Sequence, residues 1–313
     1  MSVLSQPQFH DEAAAFAWLE STLWPEGPVC PHCGGMGRIG KIKANPDKRV
    51  RLGLHKCGDC KKQFTVKVGT VFEHARMPLH LMLQAVHLMC SSKKGISAHQ
   101  LHRVLEVQYK TAWFLAHRIR EAMRSGALAP FGSNGGAVEV DETFIGNDRT
   151  IKPKGEKKGR GYHHKHKVLS LVDRDTKQVR SMVVDNLKSE TLAPILRENI
   201  AKEARLMTDE ASQYKPIGPE FAEHGVVRHG AGEYVRSDDK TIHTNTIEGY
   251  FSIFKRGMKG VYQHCGKQHL HRYVAEFEFR YNHRIARGVD DSQRAAILLG
   301  SVVGKRLTYK LPD

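Results

Sequence analysis

Apolar residues near the start of the chain recur at helical spacing. Phe9, Ala13, Phe16, Ala17, Leu19 and Leu23 fall on one stripe of residues 8–24, which predicts a short opening helix. Pro25-Glu26-Gly27-Pro28 ends it, and Gln63–Val68 alternates like a strand. Past Pro78, which suits a first helical turn, Leu79, Met82, Leu83, Val86 and Met89 mark a helix running through Cys90. Gly95 breaks that pattern, and Ser97 is placed to cap a second helix carrying Leu101, Val104 and Leu105. After the turn Glu106-Val107-Gln108, a third helix runs from Tyr109 to about Ser125 and turns Ala112, Trp113, Ala116, Ile119 and Met123 inward. Two short helices joined by a tight turn, the second rich in Lys110, His117, Arg118, Arg120 and Arg124, predict a helix-turn-helix. A helical linker bundle has the same pattern. The glycine-rich stretch 129–136 marks a boundary.

Beyond it the period changes. Residues 137–144 alternate as a strand, and 167–172 and 179–184 form two more, joined by the turn residues Asp173–Lys177. A helix over 189–203 buries Leu192, Ile195, Leu196 and Ile200; strands follow at 204–209 and 225–229, and helices at 244–259 and 269–287. Read as three strands, helix, strand, helix, strand, helix, this is an α/β layout. It is the order of a ribonuclease-H-like domain, with a mixed five-stranded sheet and flanking helices. The expected division is 1–77, 78–128 and 137–313.

Composition narrows the partner. The 313 residues carry 49 Lys+Arg against 33 Asp+Glu, a formal charge of +16. That excess is the electrostatic footprint of a polyphosphate. No apolar run approaches the ~20 residues of a membrane span, so a cytoplasmic protein is expected. Residues 149–167 hold eight Lys/Arg, one Glu and three Gly. Lys152, Lys154, Lys157 and Lys158 in this loop are expected to clamp phosphates, unless the loop is only a solvated insertion. His163, His164 and His166 make a poor second metal motif, since Lys165 stands between the last two.

The cysteines carry a sharper signal. Cys30-Pro31-His32-Cys33 and Cys57-Gly58-Asp59-Cys60 are two CxxC knuckles 23 residues apart, the sequence form of a tetrahedral structural zinc site. The ~40 residues around them are too few to bury a self-sufficient core. Zinc, binding with on the order of 10–16 kcal/mol inseparable from folding, would supply what is missing. Disulfides would need an oxidising compartment, and the opening residues lack the basic-then-apolar pattern of a secretory leader. Cys90 and Cys265 are isolated and read as reduced thiols.

Asp141 lies in the first strand of the α/β segment, Asp209 ends the fourth, and Glu248 sits on the helix that follows the fifth. In a ribonuclease-H-like sheet the first and fourth strands are neighbours, which sets these two Asp side by side. Carboxylates held within ~4 Å repel by a few kcal/mol at an effective dielectric near 20, so such a cluster needs a divalent cation. Oxygen-only ligands favour Mg²⁺ or Mn²⁺, and two such ions can activate an attacking hydroxyl and stabilise a leaving oxygen. Glu142 and Glu210, adjacent to the two Asp, should point to the opposite face.

The strings VEVDETFIG, LMTDEASQY and HTNTIEGYFSIFKRGMKG, followed by YVAEFEFRYNHR, closely resemble the Asp-Asp-Glu transposases of bacterial insertion sequences, in the ISXO-like subgroup with an N-terminal zinc ribbon. The resemblance runs from Phe16 to about Arg287. It implies a catalytic domain that cuts and rejoins double-stranded DNA at element ends with two Mg²⁺ or Mn²⁺ ions, and a homo-oligomer working on that DNA in the bacterial nucleoid. By motif position it implies Asp141, Asp209 and Glu248 as ligands of the catalytic ions, with Lys255 as the basic residue that follows the last acid. Some members use Asn as third ligand, and Asn245 lies one turn before Glu248. Tyr109, Lys110 and Thr111, opening the third helix, are the expected base contacts, with Arg118 further along it. Glu276, Arg280 and Arg284, spaced i, i+4 and i+8, read either as a salt-bridge ladder or as a face that lays two arginines on phosphates. A regulator with an idle catalytic domain is the alternative, as is a nuclease of the same fold.

Overall fold

The structure is a computed structural model that describes residues 2–126, 129–147 and 164–308. It forms two compact units, Met1–Arg124 with His283–Asp313, and Ser125–Asn282.

In the first unit, α1 (Glu12–Leu23) starts where the Asp11 carboxylate accepts the Ala14 N–H at 2.6 Å. It buries Ala15, Phe16 and Leu19, while Ala13 and Ala17 face water. A three-stranded antiparallel sheet follows, β1 (Ile39–Lys41), β2 (His55–Cys57) and β3 (Gln63–Phe64). Helix α2 (Leu79–Ser91) begins after Pro78, whose ring offers no side-chain cap. Its free amides are satisfied from afar: the Glu12 carboxylate accepts the N–H groups of Leu79 (2.8 Å) and His80 (3.1 Å), binding α1 to α2 and placing an anion at a helix N-terminus. Then come α3 (Ala98–Val104), capped by Ser97 as expected, and α4 (Tyr109–Ala122).

The end of the chain also belongs to this unit, which corrects the 137–313 boundary. Helix α8 (Asp291–Gly300) packs on α1 and α2, and Arg294 Nη1 donates to the Cys90 carbonyl at 2.7 Å. Past α8, Val71 N–H bonds the Val302 carbonyl (3.2 Å) and Gly304 N–H that of Gly69 (2.9 Å).

The second unit is built on a five-stranded sheet in the order β6-β5-β4-β7-β8. Strands β4 (Ala137–Ile145), β5 (His166–Asp173) and β6 (Gln178–Val184) form an antiparallel meander, while β7 (Arg205–Asp209) and β8 (Glu223–Val227) run parallel to β4. Helix α5 (Ser189–Asn199) covers one face, where Leu192 and Leu196 meet Val138, Val140, Leu169, Leu171 and Leu206. Helices α6 (Asn245–Gly257) and α7 (Lys267–Asn282) cover the other, with Ile247, Tyr250, Phe254 and Phe277 against Ile145, Val168, Val172 and Val179. This is the expected ribonuclease-H-like arrangement.

Three details differ from expectation. No helix joins β7 to β8: single helical turns at Ser212–Tyr214 and Gly218–Glu220 do so, because Pro216 and Pro219 supply no N–H to a longer one. Helix α5 stops at Asn199 because Asn199 and Ala201 pair with the backbone of Phe131 instead (both 2.8 Å). Helix α7 stops at Asn282, and its last turn is spent on the sheet edge. The Asn282 amide exchanges two bonds with the Val179 backbone (2.7 and 2.8 Å), and Glu278 accepts the Ser181 N–H (2.9 Å). An edge strand is thereby covered by side chains.

Candidate active site

β4 and β7 lie side by side with Glu139 opposite Met207, so Asp141, two residues on, comes level with Asp209 at the end of β7. By strand alternation both Asp share the face of Glu139 and Met207, the face on which α6 packs. Glu248 lies in the first turn of α6.

What holds α6 there is a buried charge pair. Glu139 is fully buried and accepts from Arg174 Nε at 2.6 Å and from the Ile247 N–H at 2.9 Å. Arg174 also donates to the carbonyls of Thr241 (2.5 Å) and His243 (2.6 Å). The strand carrying Asp141 thus grips the helix one residue before Glu248. Sequence reasoning passed over both residues, although Glu139 has the same parity as Asp141 along the strand.

Glu142 faces the other way, as expected: its carboxylate accepts from Gln213 Nε2 (2.6 Å) and Tyr214 Oη (2.5 Å), on the side of α5. Glu210 turns to the segment after β8 and accepts the N–H groups of His229 (2.7 Å) and Gly230 (2.8 Å), which hold its pKa below the ordinary range. In that turn His229 brings Nε2 to 3.4 Å from Glu248 Oε1 and 3.2 Å from Thr244 Oγ1.

The electrostatics are those of like charges held together in partial burial. Burial, then Glu142, Asp209 and Glu248, push Asp141 up to about 8. Burial and Glu210 raise Asp209, and burial and Asp209 raise Glu142. An oxygen-only set in this condition fits Mg²⁺ or Mn²⁺. Its members are not drawn tightly together. Among the described residues, only Cys30, Cys33, Cys57 and Cys60 form a group of three or more His, Cys, Asp or Glu with ligand atoms all within 4.8 Å of one another. Beside Asp209 opens a polar cleft of about 760 Å³, lined by Lys215, His224, Arg228 and Arg236 among others.

In the ribbon, Cys30 Sγ lies 3.6 Å from Cys60 Sγ and Cys33 Sγ lies 3.7 Å from Cys57 Sγ. Four thiolates at ~2.3 Å from one zinc stand about 3.8 Å apart, whereas a disulfide needs ~2.05 Å. The geometry fits a tetrahedral metal and no disulfide.

The expected DNA contacts divide. Tyr109, Lys110 and Thr111 are exposed at the start of α4, the Tyr109 ring stacked on His99 at 4.4 Å. Arg118 turns inward: it is buried, donates to the Glu73 carbonyl at 2.8 Å and lies over the Phe114 ring. Arg280 is likewise buried, paired with Glu276 and stacked on Phe277, so it serves the core and not a phosphate. Arg284 lies past the end of α7 in extended backbone, which breaks the expected i+8 face. Lys152, Lys154, Lys157 and Lys158 lie outside the described residues. Asn245 and Lys255 are exposed on α6, the latter over the Phe251 ring.

With this geometry in view, comparison places the chain. Residues 134–282 match the ISXO2-like transposase domain, and residues 10–63 match the transposase zinc-ribbon domain. A protein of the transposable element ISH50 from Halobacterium salinarum is 27% identical over 290 residues, covering 87% of this chain and 91% of its own. A chain of a simian T-cell lymphotropic virus intasome solved in complex with the PP2A regulatory subunit B56 gamma aligns at 13% identity and a TM-score of 0.28. That match spans 63% of this chain and 65% of the other.

Proposed function

The chain belongs to the zinc-ribbon subgroup of the insertion-sequence DDE transposases, and on that premise we propose that it binds the terminal inverted repeats of an insertion sequence and catalyses metal-dependent strand cleavage and transfer. What supports the reading is that Asp141 comes level with Asp209 on the neighbouring strand, while Glu248 opens the helix packed on that face; burial and the charges of Glu142, Asp209 and Glu248 push Asp141 up to about 8. These three would hold two Mg²⁺ or Mn²⁺ ions. Such a pair supplies activation of the attacking hydroxyl and stabilisation of the leaving oxygen.

The protein's own residues do the positioning. Glu139 and Arg174 anchor α6 to β4, so the third acid keeps its distance from the first two. The exposed opening of α4 reads bases through Tyr109, Lys110 and Thr111, and the lysines of the 149–167 segment hold phosphates without regard to sequence. Lys255 meets phosphate near the reacting strand. Cys30, Cys33, Cys57 and Cys60 hold a structural zinc, whose closed shell leaves no place for a substrate water. The protein acts as a homo-oligomer on its DNA.

The test is cleavage of a duplex bearing the repeat that flanks the gene, bound by the protein before Mg²⁺ is added. Nicking at the element end by the native protein and none by Asp141→Asn is expected. Full cleavage by a nuclease-free Asp141→Asn protein would sink the mechanism.

A further inference from the structure

Glu210 and His229 have no part in the ligand set, yet they form a continuous connection from the second acid to the third. Glu210 follows Asp209 directly and uses both carboxylate oxygens on one turn: Oε2 accepts the His229 N–H at 2.7 Å and Oε1 the Gly230 N–H at 2.8 Å. The approach is close: a Cβ at position 230 would come 2.9 Å from Glu210 Oε1 and make the carboxylate shift. The turn so held presents the His229 ring to α6. Nε2 stands 3.2 Å from Thr244 Oγ1 and 3.4 Å from Glu248 Oε1, and the Tyr234 ring covers the imidazole at 5.2 Å between centroids. Thr244 Oγ1 is itself 3.5 Å from Glu248 Oε1, so imidazole, hydroxyl and carboxylate form a small triangle at the start of the helix.

We propose that His229, held by Glu210, is a positioning residue that fixes the Glu248 carboxylate in the orientation a divalent cation needs. The proposal rests on Glu248 being the third ligand. Glu248 is partly exposed at the first turn of α6 and no other polar side chain besides Thr244 and His229 is seen to hold it among the described residues. Left loose, a glutamate has three torsions to order when a cation arrives. A partner that orders it beforehand raises affinity, and loss of such outer partners typically weakens metal binding 10–100-fold.

The test is Mn²⁺ binding to the full-length, zinc-loaded, DNA-free protein by calorimetry, beside thermal unfolding without Mn²⁺. His229→Ala should weaken Mn²⁺ binding about tenfold while its melting without Mn²⁺ stays near that of the native protein. His229→Gln places an amide nitrogen near the position of Nε2 and should recover most of the affinity. Glu210→Ala should cause the same loss, and the double variant no more than either single one. Native Mn²⁺ affinity in His229→Ala, or a His229→Gln protein as weak as His229→Ala, would overturn the positioning role while Glu248→Gln still loses binding. Native affinity in Glu248→Gln would instead overturn the ligand assignment beneath it.

Discussion

In the ribbon, four thiol sulfurs lie within 4.8 Å of one another around one centre. In the second unit, Asp141, Asp209 and Glu248 share a face and feel one another's charge without closing to that distance. The first set comes from two knuckles joined through a short antiparallel sheet, so local turns almost complete it. The second comes from two strands and a helix, and its third member is placed by the packing of α6, the Glu139–Arg174 pair, Thr244 and the His229 turn. A closed soft-ligand shell is complete without substrate and suits a structural ion. An open hard-ligand set, which keeps its repulsion until a cation binds, would suit the working site proposed here.

The contrast is broken most sharply at the acids. Asp141→Asn, Asp209→Asn and Glu248→Gln should each lower Mg²⁺-dependent cleavage of a pre-bound end by about a thousandfold or more, with DNA binding kept and zinc content unchanged. Asn245→Ala should stay near native. If it fails while Glu248→Gln works, the third ligand moves one turn back.

Cys57→Ser should act on the other side only. Zinc is lost, measured by elemental analysis, and the N-terminal region unfolds with loss of end binding, because the closed shell has no spare ligand. Zinc absent from the purified native protein would end the structural-zinc reading.

Next in size is the pair that joins β4 to α6. Arg174→Met leaves Glu139 charged and buried, and should cost about 3–5 kcal/mol in denaturant unfolding. Glu139→Gln with Arg174→Met should cost less than Arg174→Met alone, since no buried charge is then left unpaired.

A smaller effect follows from the burial of Asp141 among like charges. Asp141 is raised to about 8 in the folded protein, and the unfolded chain has the ordinary value near 3.8. Between these values the folded state holds the proton that the unfolded state has released, so stability falls as pH rises through this window. Without added Mg²⁺ or Mn²⁺, Asp141→Asn should melt higher than native at pH 8 and no higher at pH 4. Mg²⁺ should raise the native melting point at pH 8 far more than that of the variant. Equal melting at pH 8 would contradict the raised Asp141.

The smallest change is expected from Glu142→Gln. Its side chain faces α5, so cleavage should stay within about threefold of native, while loss of a neighbouring charge lowers the Asp141 pKa. A collapse of cleavage would bring Glu142 into the site.

Much of this was legible from residue order. Period two around Asp141, and its loss at Gly132–Gly136, are local signals, and the strand formed where they indicated. Knuckle spacing needs only a turn radius, and Ser97 capped the helix it precedes. Less legible was the role of each charged side chain. Arg118 carries the same charge as Lys110, and helical spacing gave both an outward role; for Arg280 it left a salt bridge to Glu276 and a phosphate contact open alike. Their burial depends on Glu73, Phe114, Glu276 and Phe277 being in place around them.

By itself the sequence determined the two cysteine knuckles, the strands in chain order and the amphipathic helices, because each depends on periodicity or spacing within a few turns of chain. Tertiary structure alone decided that α8 returns to the first unit, that Glu139 reaches Ile247 across 108 residues, and that Glu210 carries His229 to Glu248. Contacts between such distant residues leave no period to read. They arise only when burial makes an unpaired charge or amide too costly to leave without a partner.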